Sequence, residues 1–310
     1  FAFDFSIVFY DVTTLYFESF KEDEDRIDGK GNLLTKGLRR NGFSKDNKSN
    51  QPQIVIGLIV TREGFPIAYD VFSGNTFEGK TFIPSIVKFK DTHAVKNLTV
   101  VADAAMISLP NIESLVENDL SYIVGARTAN LKLPQIKQIS QELNQIDSAS
   151  MRIETERGLL VCDFSLIRYR KDKREMEKQI AKAQKLLVDN WALTRTKFIK
   201  TEKTNQTLNT DLIEKTKLLL GIKGYYTNLA NIPNETIIKH YHNLWHVELA
   251  FRIAKNDLAT RPIYHFKKQV IEAHILICFM ALAVCKYMEL KTGRSTKAIV
   301  KQLRSITDAR

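Results

Sequence analysis

Two acids follow runs that read as buried strands. Residues 5–10 (FSIVFY) are β-branched and aromatic and lead directly into Asp11, then Thr13 and Thr14, while residues 98–102 (LTVVA) end on Asp103. A third acid, Glu248, lies in a helical stretch where Tyr241, Glu248, Arg252 and Lys255 follow at offsets of 7, 4 and 3. At about 100° per residue these form one stripe of a helix. Carboxylates are hard oxygen donors of the kind that hold Mg²⁺ or Mn²⁺. A stripe mixing an acid, bases and an aromatic ring beside an apolar face is unusual for solvation alone. Each residue also has a plainer reading: Asp11 as a strand-end turn residue, Asp103 as a helix N-cap, and Glu248, Arg252 and Lys255 as an exposed ion-pair ladder.

Other residue types carry less. His242 and His246 stand four apart on the same helix, the spacing of zinc ligands, but no third ligand accompanies them. His265 and His274 read as hydrogen-bonded structural histidines, and Glu63, Asp70 and Glu78 as a solvated turn face, with a substrate-side or supporting role at the site as the alternative. Arg168, Arg170, Lys171, Lys173 and Arg174 open a charged helix that is either a solvated face or a track for phosphates.

The elements that must position these residues follow from periodicity. After the first strand comes a charged, Gly- and Asn-rich loop over 21–50, then two strands at 53–60 and 66–72 joined as a hairpin around Thr61-Arg62-Glu63-Gly64. A helix over 80–90 carrying Pro84, the strand at 98–102, a helix over 109–117 and a strand at 121–124 complete the run. This order, three strands with a hairpin, helix, strand, helix, strand, is the ribonuclease-H-like α/β arrangement, and it makes the strands of Asp11 and Asp103 neighbours. Residues 126–220 read as an insertion, with a hairpin around Gly158 and a helix over 171–188. Residues 223–228 read as the return to the core. The expected division is therefore 1–125 and 221–310 as the two parts of the core, with 126–220 between them. A helix opening near Pro233 runs on to Asp257, with Leu244, Val247, Phe251 and Ala254 as its apolar stripe. A nearly all-apolar helix over 267–290 and a last helix capped by Ser295 end the chain.

Composition bounds the class. With 44% hydrophobic and 26% charged residues in 310, the chain has the makings of a packed core and is neither disordered nor collagenous. Its net charge of +11 favours a polyanionic partner. Residues 151–220 hold 16 Lys/Arg against 10 Asp/Glu, a net +6. Cys162, Cys278 and Cys285 lack metal-ligand spacing and read as buried thiols of an intracellular protein. The longest apolar run, 275–285, is shorter than the roughly 18 residues of a membrane span and reads as a buried helix. The chain opens on Phe1 without an initiator Met, so a preceding segment is expected.

Several longer stretches resemble bacterial insertion-sequence transposases with a DDE triad, and most closely the insertion-sequence-four superfamily. They are YDVTTLYFE from Tyr10, GFSKD from Gly42, IGLIVTREGFPIAYDVFSGNTFEGKTF from Ile56, VVADAAM from Val100, WHVELAFRIAK from Trp245, RPIYH from Arg261 and EAHILICFMAL from Glu272. The resemblance covers most of the chain and is weakest over 126–220. It implies a ribonuclease-H-like catalytic domain with a β-rich insertion between the second Asp and the Glu, and Asp11, Asp103 and Glu248 as the carboxylates that bind Mg²⁺ or Mn²⁺. The superfamily's helix signature, Tyr, two residues, Arg, three residues, Glu, six residues, Lys, finds Tyr241, Glu248 and Lys255, with Leu244 at the Arg position. The signature points to DNA contacts from Tyr241 and Lys255, with Arg252 standing in for the Arg absent at Leu244, and the net +6 of 151–220 adds the basic helix with Arg168, Arg170, Lys171, Lys173 and Arg174 as a further phosphate contact. The implied function is cleavage of double-stranded DNA at transposon ends and strand transfer into target DNA, by a homodimer in the DNA complex. It is expected in the bacterial cytoplasm at the nucleoid, without membrane contact. The alternatives are a non-catalytic DNA-binding remnant and a ribonuclease-H-like nuclease that lacks strand transfer.

Overall fold

The computed structural model describes residues 4–188, 196–202 and 205–306. Phe1, and Arg195 and Lys203 of the basic excess, lie outside the described residues. The strands are β1 (Ile7–Tyr16), β2 (Arg26–Ile27), β3 (Leu33–Thr35), β4 (Gln53–Val60), β5 (Pro66–Ser73), β6 (Leu98–Ala102), β7 (Leu120–Ala126), β8 (Ser150–Thr155), β9 (Gly158–Phe164), β10 (Ile199–Glu202), β11 (Asn205–Leu208) and β12 (Ile222–Thr227). The helices are α1 (Gly79–His93), α2 (Leu109–Glu117), α3 (Leu133–Leu143), α4 (Leu166–Val188), α5 (Thr210–Leu218), α6 (Asn234–His242), α7 (Trp245–Arg252), α8 (Lys268–Thr292) and α9 (Thr296–Arg304). They divide into two compact units, Phe1–Val124 with His240–Arg310, and Gly125–Lys239.

In the first unit the strands lie in the order β5-β4-β1-β6-β7. β5, β4 and β1 are antiparallel, and β1, β6 and β7 are parallel. This is the mixed ribonuclease-H-like sheet that the element order implies. β1 does not stop near Asp11, because it pairs with the wholly buried β4 as far as Tyr16↔Gln53. The β-branched Val12, Thr13 and Thr14 suit that pleated, buried position. β6, in contrast, accompanies β1 only from Ile7↔Thr99 to Tyr10↔Ala102.

Side chains alternate across a strand, so β1 serves two layers. On one face the Tyr10 ring packs on Phe82 of α1 at 5.4 Å, and its hydroxyl donates to Thr81 at 2.7 Å. Asp11, Thr13 and Leu15 take the other face, where Thr13 and Leu15 meet Phe251 and Ala254 after them in the chain and Ile275 of α8 around an apolar cavity.

The long helix expected over 233–257 is broken. Leu244 N–H donates to Tyr241 at 3.0 Å and Val247 N–H to Leu244 at 3.1 Å, bonds of the tighter i to i−3 kind. They separate α6 from α7. Residues Ile253–Asp257 then widen into a π turn, closed by Leu258 N–H on the Ile253 carbonyl at 3.0 Å. Tyr241, Glu248 and Lys255 therefore occupy three successive segments rather than one stripe. The apolar stripe survives where it faces the sheet, with Leu244, Val247 and Phe251 buried.

The second unit has strands in the order β12-β9-β8. The hairpin of β8 and β9 turns at Gly158, whose φ of +89° favours glycine. β12, expected as the return to the core, pairs with β9 from Ile222↔Phe164 to Thr227↔Leu159 and belongs to this unit. Met176 and Ala183 of α4 pack with Phe198, Ile213 and Leu220 as a core of its own.

α8 departs from the buried helix expected of it. Ile271, Ile275, Leu282 and Cys285 are buried, but Leu276, Ile277, Met280 and Val284 are exposed, because one stripe alone meets the rest of the unit. Among the described residues α8 is the one helix long and apolar enough to cross a membrane by length and composition.

Gly57 stands opposite Val12 in the register, and a Cβ there would lie 3.0 Å from the Tyr10 ring. Tyr10 is fully buried and held by Thr81. Gly57→Ala is expected to destabilise the chain by about 1–3 kcal/mol, as overpacking does. Urea denaturation monitored by circular dichroism measures it, and an unchanged midpoint would mean that the ring yields freely.

A candidate carboxylate site at the ends of the parallel strands

Asp11 and Asp103 each follow the last paired residues of β1 and β6, Tyr10 and Ala102, so parallel pairing places two carboxylates on adjacent strands. The Asp11 carboxyl accepts the Val12 N–H at 2.7 Å and is half-buried. Burial, the largest cause, pushes its pKa up to about 6; Lys45 and the Val12 N–H oppose this, and the negative charges of Asp103 and Glu78 add to it. Asp103 is exposed and accepts the Ala104 N–H at 2.6 Å, capping a short 3₁₀ turn over Ala104–Met106. It is thus an N-cap as well as an Asp11 neighbour.

Tyr241 lies at the end of α6, beside Asp103. Its buried hydroxyl donates to Asp103 Oδ1 at 3.4 Å. Its acidity is strongly suppressed, first by burial and then by the negative charges of Asp103, Glu248 and Asp11. One phenol therefore feels all three acids. Glu248 is exposed on α7, with Arg252 exposed one turn further on. Among the described residues, no three His, Cys, Asp or Glu side chains are gathered tightly enough to hold a metal ion. The acids share one electrostatic neighbourhood but not one ligand shell, as mutual repulsion of like charges favours. Their hard oxygen donors suit a divalent cation in chemistry.

Two residues of this neighbourhood escaped the sequence reading. The Lys45 ammonium donates to the Val12 carbonyl, beside Asp11, and pairs with Glu78 at 3.0 Å. Glu78 is therefore not merely a solvated acid, and Asp70 is likewise paired, with Lys88. The signal that could have found them is their place in the motifs GFSKD and SGNTFEGKTF. The next residue, Asp46, binds Lys255 and Arg261 at 3.1 Å each. Lys255 thus has its ammonium mostly buried against a carboxylate, at the π turn rather than along a straight α-helical stripe.

In the second unit, Arg168 is held by Asp163 and by the Gly221 carbonyl, at 3.4 and 3.3 Å. Arg170, Lys171, Lys173 and Arg174 lie on α4, where Arg170, Lys173 and Arg174 are exposed and Lys171 is exposed as well. His274 bonds the Thr260 carbonyl at 3.2 Å and lies edge-on to His265, as structural histidines do.

A mixed sheet of this order, with acids directly after the paired stretch of its two central parallel strands and a third acid on a following helix, defines a nuclease-like class of catalytic domain. Within that class, the family described as the transposase DDE domain matches residues 3–284, and the chain belongs to it. The chain is also similar to a piggyBac transposase in a synaptic complex with hairpin DNA, at 11% identity over 96% of this chain and 51% of that one, with a TM-score of 0.49. It is similar to the Mos1 transposase in a paired-end complex with a left transposon end, at 13% identity over 38% of this chain and 34% of that one, with a TM-score of 0.24. The chain spans about half the length of the piggyBac protein. No curated protein sequence matches it.

The raised Asp11 pKa carries a sign. The folded chain keeps a proton that the unfolded chain releases near the ordinary value of 3.8. Stability is therefore lost as pH rises from about 4 to about 6, by on the order of 1–3 kcal/mol, and is flat above that for this residue. Asp11→Asn should melt at a higher temperature than the parent chain at pH 8 and at nearly the same temperature at pH 4. Equal melting-temperature differences at both pH values would place Asp11 in an ordinary solvated setting.

Proposed function

We propose that this chain is the catalytic part of a transposase that cuts double-stranded DNA at transposon ends and joins the freed 3′-hydroxyl to target DNA. The observation that carries this reading is the parallel pairing of β1 with β6, which sets Asp11 and Asp103 side by side with the Tyr241 hydroxyl on Asp103, in a chain of the transposase DDE family. The family is divalent-metal dependent, and Asp11, Asp103 and Glu248 are the residues that would hold Mg²⁺, or Mn²⁺ in its place. When bound, such an ion neutralises charge on the pentacoordinate phosphate and activates the attacking water or 3′-hydroxyl.

The chain's own residues prepare that step. Asp11 and Asp103 set negative charge at adjacent strand ends, and the Tyr241 hydroxyl orients Asp103. Arg252, exposed one turn beyond Glu248, offers a cation to the DNA backbone, and Arg170, Lys171, Lys173 and Arg174 of α4 a separate phosphate track, whereas the expected contacts Tyr241 and Lys255 are engaged by Asp103 and Asp46. A net charge of +11 supports binding to a polyanion. We place the protein in the bacterial cytoplasm at the nucleoid, working as a homodimer on paired ends.

Asp11→Asn, Asp103→Asn and Glu248→Gln should each lower cleavage of a duplex carrying the element's own ends by more than about 100-fold, the upper range for losing a residue that merely supports a metal ligand. DNA affinity in a gel shift should change little. Near-parental cleavage by any one variant removes that acid from the site, and product strands joined to a target duplex separate strand transfer from simple hydrolysis.

Replacing Arg170, Lys171, Lys173 and Arg174 together with Gln should weaken binding of any duplex sequence. It should also flatten the plot of log affinity against log salt by roughly 0.9 for each phosphate that the variant no longer neutralises. An unchanged slope returns α4 to a solvated face.

A further inference from the structure

Beyond Tyr10 and Ala102, β6 no longer runs beside β1, and Lys45 reaches the strand there. Its backbone N–H donates to Thr14 Oγ1 at 3.1 Å, while its ammonium donates to the Val12 carbonyl and pairs with Glu78 at 3.0 Å. Both ends of this pair are fixed. The Glu78 carbonyl accepts the Thr81 hydroxyl at 2.6 Å, and Thr81 accepts the buried Tyr10 hydroxyl at 2.7 Å. On the other side, Asp46 anchors the Lys45 loop to Lys255 and Arg261. The ammonium is about a third exposed and the Glu78 carboxylate about a quarter, so water screens the pair incompletely.

A backbone carbonyl could be satisfied by any donor, and a helix start needs no lysine. What the pair adds is a cation held beside a cluster of carboxylates, with an anion that holds it there. We infer that Lys45 and Glu78 form a built-in counter-ion pair of the carboxylate site, in which the Lys45 ammonium competes with a divalent cation for the negative charge of Asp11 while Glu78 keeps that ammonium from settling on Asp11. The inference rests on the reading of Asp11 as a metal-binding residue. It makes Lys45 and Glu78 positioning residues with opposite effects on metal affinity. Like charges repel, so removing the ammonium favours the divalent cation; removing the Glu78 charge frees the ammonium to neutralise Asp11 and disfavours it.

Calorimetric titration of Mn²⁺ into the whole chain, without DNA, tests this with Lys45→Gln, Lys45→Arg, Glu78→Gln and Asp11→Asn. Lys45→Gln keeps a donor for the Val12 carbonyl and should bind Mn²⁺ on the order of tenfold more tightly than the parent chain. Lys45→Arg should restore the parental affinity, and Glu78→Gln should bind on the order of tenfold more weakly. A purely structural pair instead lowers the melting temperature in both charge-removing variants without raising metal affinity in either. Unchanged or weaker Mn²⁺ binding by Lys45→Gln overturns the counter-ion role while leaving the metal site intact, provided that Asp11→Asn has lost binding. Parental binding by Asp11→Asn overturns the metal-site reading and the inference with it. If circular dichroism shows Lys45→Gln to be unfolded, Lys45→Met, which keeps the packing of the stem, is held to the same criteria.

Discussion

Carboxylates repel one another, and moving one out of water costs more when another stands beside it. The parallel pairing of β1 with β6 nevertheless brings Asp11 and Asp103 side by side where that pairing stops, in a setting that pushes Asp11 up to about 6. Much of the surrounding detail in the first unit offsets that cost. The Val12 N–H and Lys45 favour the anionic form of Asp11, while the Ala104 N–H and the Tyr241 hydroxyl are directed at Asp103. Concentrated negative charge of this kind favours a bound cation, at the expense of some stability when the site is charged.

The packing that tolerates this charge is conventional. β4 is buried along its whole length and templates a long β1, so Asp11 sits within a rigid strand rather than at a frayed end. Tyr10, facing away from Asp11, packs on Phe82, bonds Thr81 and fills the space directly over Gly57. α7 packs through Val247 and Phe251, with Leu244 just before it, which leaves Glu248 and Arg252 on its exposed side. Leu244, at the position where the superfamily signature has Arg, is part of this buried stripe and is not available as a phosphate contact.

The i to i−3 bonds around Leu244 and the π turn at Ile253–Asp257 alter the arithmetic of that helix. Offsets that would align Tyr241, Glu248 and Lys255 along one straight helix instead deliver each to a different surrounding: Tyr241 to Asp103, Glu248 to the exposed side of α7, and Lys255 to Asp46. π turns occur often at functional sites, where they re-aim side chains without unfolding the helix.

The sequence by itself determined the strands of the first unit's sheet and the acids that follow two of them. β-branched and aromatic runs with clear breaks are local signals, and Asp11 and Asp103 lie directly after two of them. The motifs around Tyr10, Val100 and Trp245 made Glu248 the expected third acid. Tertiary structure alone decided the rest. Lys45 and Glu78 are distant in sequence and no periodicity links them, and the same holds for Asp46 with Lys255. The break in the helix depends on which carbonyls the amides of Leu244 and Val247 meet, a choice made by packing against the sheet rather than by propensity. The exposed stripe of α8 was equally hidden, because an apolar run shows that a helix seeks burial but not how much of its circumference the fold has partners to cover.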